Sequence, residues 1–362
     1  RVRRASVSPP PSGGRVPLAD AAGVVRSADV GAAAADDDGA MTNAASTQSP
    51  SSTAETVVTP GMPADAVAYH RLARLRPRYR WWRMLLVGLT ALGLWLVMAG
   101  VFLFATGAGA ALAGGGDVEA LLAGPYFDLD NPFRLVVLLV PLILMIPALG
   151  VANRIVGGAG SGLLVSVTGR LRWRWLGRAL LVAFAVLLPM IALSTWAAAA
   201  SGSATGSRGD LAVTILMLAI VVLLVPFQAA AEEYVYRGYL MQTIGGWLKH
   251  PAFAILLPVP LFVLSHGYDI WGGLAVGAFA VVAGWLCWRT GGLEAAIAMH
   301  IANNVLLFVF ACFGLADANA TTGSPVQLLI QVAGLVVFAA IITRLSGGVQ
   351  RYATSASASR IV

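Results

Sequence analysis

Charge is scarce in this sequence. Only 11% of its 362 residues are Asp, Glu, Lys or Arg, 58% are hydrophobic, and the mean hydropathy is +0.78. A water-soluble domain carries about a quarter charged residues, so an all-α, polytopic membrane protein is expected. Lysine is all but missing: the 24 basic residues are 23 arginines and Lys249. They outnumber 17 acidic residues and give a net charge of +7. Their clustering beside apolar runs points to a membrane surface and not to nucleic acid. Cysteine is limited to Cys287 and Cys312, both inside apolar runs, which excludes a disulfide framework and a cysteine metal centre. Histidine occurs four times, as His70, His250, His266 and His300. The G-x-S-x-G nucleophile elbow and the H-E-x-x-H zinc motif are both absent.

What the chain does have is a series of long apolar segments. Residues 1–62 are rich in Ala, Ser, Pro, Gly and Asp without an apolar face and read as a disordered tail. Met41 is a candidate start, which would leave 1–40 untranslated. Residues 63–83 form a basic, aromatic juxtamembrane segment, read as a cytoplasmic anchor at anionic headgroups. A span needs about 20 apolar residues, and eight segments qualify. They are Met84–Thr106, Phe133–Ala152, Arg178–Ala200, the over-long Leu211–Leu248, the short Ala252–Ser265, Trp271–Trp288, Leu293–Phe313 and Val326–Thr343. The first three occupy 84–204, and 346–362 would be a tail. Connections after even-numbered spans carry Arg154, Arg170, Arg172, Arg174, Lys249, Arg289, Arg344 and Arg351. Gly114–Asn131 instead carries Asp117, Glu119, Asp128 and Asp130, and Leu315–Ser324 holds no Lys or Arg. Arg208 and Arg134 break the pattern. The positive-inside rule then sets both termini in the cytoplasm.

Two carboxylates and an arginine, Glu232, Glu233 and Arg237, end the uncharged run Leu211–Phe227. Ionisable groups at membrane depth cost at least about 2.5 kcal/mol each, so their default reading is functional. Glu233 and Arg237 are four apart and share a helix face, with Glu on the favourable N-terminal side. Glu232 is turned away and left available. Equally, the three could be a packing network between helices. Glu232 and His266 each lie 17 residues from Lys249, so both stand about 25 Å from that turn on adjacent antiparallel helices. His300 and Asn304 share a face of the seventh span, His300 about 12–16 Å above its cytoplasmic end, with Asn303 close by. A hairpin at Lys249 protruding about 10 Å would bring Glu232, His266 and His300 to one level. At about 57 Å, the fourth span must tilt, kink near Pro226 or protrude. A lone histidine in an apolar helix is otherwise a satisfied core residue. Asp269 and Glu294, near span ends, read as ordinary solvated or interfacial charges.

A glutamate and a histidine around one water form a base, and a second histidine and an asparagine can donate to an oxyanion. The set Glu232, His266 and His300 could instead hold a divalent metal such as zinc.

Taken in order, Glu232-Glu233-x-x-x-Arg237, Phe262-x-x-x-His266 and His300-x-x-x-Asn304 resemble the CPBP family. That family contains the type II CAAX prenyl endopeptidases and the bacterial Abi proteins. The resemblance covers roughly 205–345. It implies an eight-helix-type intramembrane endopeptidase in which Glu232 and His266 activate water. Glu233 and Arg237 would support the site, and His300 with Asn304 would stabilise the oxyanion. It also implies a multi-pass plasma-membrane protein, here bacterial, acting on a peptide or protein substrate, with lipid as its surroundings and no nucleic acid. The family is described as metalloproteases, and a metal-free glutamate mechanism stays open. Tyr236 departs from the Phe usual before the Arg, and its hydroxyl needs a partner. Two other readings stand beside the protease: a non-proteolytic Abi-type immunity or secretion-partner scaffold, and a proton- or ion-coupled transporter. Oligomeric state and substrate are not legible.

Overall fold

The computed structural model describes residues 66–112, 124–202 and 209–354. The expected tail 1–62, Asp117, Glu119, Arg208 and residues 355–362 lie outside the described residues. Within them the protein is a polytopic bundle of helices, as an apolar chain requires: in lipid every backbone N–H and C=O must be satisfied inside its own segment. Seven helices are long and apolar enough to cross a membrane. They are α1 (Arg83–Leu112), the pair α2 (Phe133–Ile143) and α3 (Met145–Ile155), α5 (Trp173–Ala200), the compound helix from Leu211 to Trp247, α10 (Ile270–Thr290), α11 (Glu294–Cys312) and α12 (Pro325–Leu345). A one-turn helix, α4 (Gly162–Val165), precedes α5. The remaining expected span, the fifth, is the short one. It consists of α8 (Pro251–Leu256) and α9 (Val259–Leu264), broken at Leu257-Pro258. Residues 251 to 264 reach only about 21 Å at 1.5 Å per residue, short of a ~30 Å core. His266 therefore follows a helix that cannot cross the bilayer alone.

The over-long fourth span is not one α-helix. α6 (Leu211–Glu233) passes into a π-helical stretch, Tyr234–Leu240, and resumes as α7 (Met241–Trp247). Pi segments inside α-helices occur frequently at functional sites, and this one begins directly after the two glutamates. Asp210, Asp269 and Ser324 cap the starts of α6, α10 and α12 by accepting from Val213, Gly272 and Gln327 N–H.

α11 is the centre of the bundle. Its most apolar window is 61% buried, against 11% for α1, and it packs on α5 and α6. Ala295, Ala296, Ala298 and Ala302 allow that close approach. α12 lies against α5 and α10, α1 against α3, and α2 against α6. Cys287 and Cys312 are buried free thiols, as expected.

One expectation fails in the core. Glu294 is not solvated: its side chain is fully buried and held in a bidentate pair by Arg172, with Nε to Oε1 at 2.8 Å and Nη2 to Oε2 at 2.6 Å. Arg172 also donates to the carbonyls of Thr290 and Gln350. It joins the segment before α5, the end of α10, the start of α11 and the segment that follows α12. The partners are 122 positions apart, so helix spacing could not pair them. Asp269 is half-buried, and its Oδ1 accepts from Gly272 and Gly323 N–H.

The segment before α1 is folded. Strand β1 (Val67–Ala68) pairs antiparallel with β2 (Tyr352–Ala353), so the flanks of the membrane region lie on one side of it. A 3-10 helix, Tyr69–Leu75, then packs on α7 with Tyr69, Leu72 and Ala73 buried. A Cβ on Gly245 would sit 1.9 Å from the His70 carbonyl oxygen, so only glycine permits this approach. Gly291 ends α10 at φ 72°, where a Cβ would meet the Gln350 and Arg351 carbonyls.

Candidate active site

The end of α6, the π stretch and the middle of α11 bring five of the six expected residues together, in two hydrogen-bonded sets that face each other. Glu233 is fully buried, and its Oε1 accepts from Arg237 Nη1 and from His300 Nδ1, each at 2.8 Å. The first contact is the i,i+4 pair expected from spacing, which neutralises both charges at membrane depth. The second orients His300. A carboxylate oxygen only accepts, so Nδ1 carries the hydrogen, and in the neutral ring Nε2 presents a lone pair.

Glu232 lies beside this pair. Its Oε1 accepts from Gln228 Nε2 at 2.5 Å. Its Oε2 is buried without a hydrogen-bond partner and stands 3.8 Å from His300 Nε2. That gap is too long for a direct hydrogen bond and suits a water touching both atoms. Gln228 Oε1 in turn accepts from Asn304 Nδ2 at 3.1 Å, and Asn304 Oδ1 accepts from Asn303 Nδ2 at 3.1 Å. A chain of amides from α11 thus ends on the free carboxylate of α6. Gln228 is the member that sequence reasoning missed. Its signal was present: a glutamine in an apolar helix, one turn before Glu232 and on the same face.

His266 stands apart from this cluster. Its Nδ1 donates to the Phe262 carbonyl at 2.7 Å, which leaves Nε2 as the free ring nitrogen of a half-buried side chain. Among the described residues no hydrogen bond or ion pair joins it to Glu232, Glu233 or His300. The buried Phe262 ring connects them, with centroids 4.6 Å from His266 and 6.2 Å from His300. Arg237 lies over the same ring at 4.3 Å, a cation–π contact strengthened by exclusion of water. Tyr236 meets it edge-on at 4.8 Å, and its hydroxyl finds Ser265 Oγ at 3.3 Å. Phe279 closes the far side, 5.1 Å from the His300 ring.

The same distances bear on a metal. Glu232 and His300 face each other, and both histidines bond through Nδ1, to Glu233 and to a backbone carbonyl, which leaves each Nε2 open as in ligating histidines. Among the described residues no three His, Cys, Asp or Glu side chains form a ligand group. Glu232 and His300 approach each other here, and His266 is not gathered with them.

Residues 211–306 match the family model described as type II CAAX prenyl endopeptidase Rce1-like. This stretch runs from the start of α6 past His300 and Asn304 and lies inside the 205–345 expected from the motifs. In Bacillus subtilis (strain 168), "Uncharacterized protein YyaK" is 30% identical over 136 residues. That match takes in 36% of this chain and 44% of the relative, less than half of its length. No solved structure matches the chain.

Proposed function

We propose that the protein is an intramembrane endopeptidase that hydrolyses a peptide bond with a water held between Glu232 and His300. The observation that carries this reading is the unpartnered Glu232 Oε2 facing His300 Nε2 across 3.8 Å. A water in that gap donates one hydrogen to each acceptor and turns its lone pair toward a scissile carbonyl. Glu232 takes the proton as the oxygen attacks, and passes it to the departing amine nitrogen. Glu233 keeps His300 in the tautomer that accepts from the water, as its carboxylate fixes Nδ1–H. The distances favour His300, and not His266, as the partner of Glu232 at this water. His266 Nε2, when protonated, and the remaining amide hydrogen of Asn304 are then the donors available to the oxyanion. The match of 211–306 to the CAAX endopeptidase model supports peptide-bond chemistry independently of these distances. No step is routed through a metal.

Glu232→Gln removes the base and leaves the shape. Cleavage should fall at least about 100-fold, with expression and thermal stability retained. Comparison of membrane proteomes from wild-type and E232Q cells should reveal substrates that accumulate at full length. Identical proteomes would overturn the proposal, and loss of activity on chelation would return a metal to it.

A further inference from the structure

We propose that the junction of the N-terminal arm with α7 is a binding site for the phosphate headgroup of an anionic phospholipid. An open pocket of about 540 Å³ lies there, lined by Arg74, Tyr79, Arg80, Trp81, Gly246 and Trp247. It is separate from the glutamate cluster and does not depend on the reading of that cluster.

The chemistry of the lining is cationic and aromatic. From residue 66 to residue 112 the chain has no Asp or Glu. Arg74 is exposed but its geometry is set: Nε donates to the Gly246 carbonyl at 2.8 Å, and the guanidinium stacks over Tyr79 at 5.7 Å. Arg71 caps the neighbouring Gly245 carbonyl at 3.2 Å. Both use the last carbonyls of α7, where the helix dipole favours cations. Among the described residues no acceptor meets the terminal nitrogens of Arg74 or the side chain of Arg80. Tyr79 Oη, beside Gly246, also has no hydrogen-bond partner. The pocket therefore gathers two unanswered guanidinium groups and a hydroxyl donor, and nothing anionic from the protein answers them.

The surroundings identify the anion as lipid-borne. Trp81 and Trp82 are exposed at the start of α1, and Leu85, Leu86 and Leu89 continue an exposed apolar strip along the helix. Tryptophans mark the headgroup level and the leucines the hydrocarbon. A phosphate between Arg74 and Arg80 would have its acyl chains against that strip. Trp247 Nε1 donates to the Trp81 carbonyl at 3.0 Å, so the lipid would seat across the seam between the arm and the helix that carries Glu232.

The test uses the full-length protein in detergent, with retained lipid measured by native mass spectrometry against added phosphatidylglycerol, phosphatidylcholine or free glycerol phosphate. Selective retention of phosphatidylglycerol is expected. The R74A/R80A variant should weaken it about 30-fold, and Arg80→Ala alone about fivefold. The Arg80 side chain makes no contact the fold needs, so the single variant decides the matter if the double one misfolds. Removing two exposed arginines elsewhere, R154A/R178A, should leave retention unchanged. Equal retention of phosphatidylcholine, equal competition by glycerol phosphate, equal loss in the control, or an unaffected R80A would each overturn the site.

Discussion

At the scale of single residues, the adjacent glutamates differ in what their bonded oxygen meets. Glu233 is fully buried, with a cation and an imidazole on one oxygen and no hydrogen-bond partner on the other. Glu232 holds one oxygen for Gln228 and leaves the other open. Glu233→Ala would strand Arg237 in the core, which typically costs about 3–5 kcal/mol, so the variant should unfold well below E232Q in a detergent melt. Gln228 makes a finer prediction. With Gln228→Ala the Glu232 carboxylate loses its anchoring donor, a bond to a charged group worth about 1.5–3 kcal/mol. Turnover should fall about 10- to 100-fold with little change in KM. Asn304→Ala breaks the same chain one link earlier, so the Q228A/N304A double variant should lose less than the sum of the single effects. Additive losses would show that the amides act separately. Spacing alone makes Glu233–Arg237 legible, because residues four apart share a helix face. It cannot make Glu233–His300 legible, because that contact joins helices 67 positions apart.

At the scale of elements, the decisive feature is the join between α6, the π stretch and α7. A continuous α-helix of 37 residues would be far longer than a membrane core. The interruption falls where the chain leaves the glutamates, and the far end is wrapped by the 3-10 helix of the arm. The arm is fastened at a second point. Arg76 is buried and hydrogen-bonded to Asn153 Oδ1 of α3, while Asn153 Nδ2 donates to the carbonyls of Ala159 and Gly160. Burial without a carboxylate partner pulls the Arg76 guanidinium down to about 10. Asn153→Ala should therefore destabilise the protein by about 3 kcal/mol or more, since it removes three bonds and leaves a buried cation. The R76M/N153A pair should recover part of that loss in the same unfolding measurement. An N153A protein as stable as wild type would mean that the arm is docked by apolar contacts alone.

At the scale of the whole molecule, the two flanks of the membrane region meet. Val67 lies opposite Ala353 in the two-stranded ladder, and an even number of crossings follows. Seven long helices are an odd number, so the short α8–α9 segment and the loop that follows it must together make the eighth crossing. Cysteines at 67 and 353 should form a cross-link in intact membranes, read as a mobility shift reversed by reductant. The native Cys287 and Cys312 are buried and should give no background. Absence of the cross-link in active protein would separate the flanks. From the positive-inside pattern we propose that this shared side is the cytoplasm, which a labelling reagent that cannot cross the membrane would test.

The sequence by itself determined the solvent in which this protein folds, the order and approximate ends of its spans, and the glutamate–arginine pair. Those follow from local quantities: apolar length, loop charge and the pitch of a helix. Only the tertiary structure decided which histidine meets Glu232, that Gln228 holds it, that Arg172 buries Glu294, and that the basic arm is folded onto α7. Each of those depends on how helices far apart in sequence approach one another. That approach is set by alanines, glycines and backbone breaks acting together, and no spacing within one segment records it.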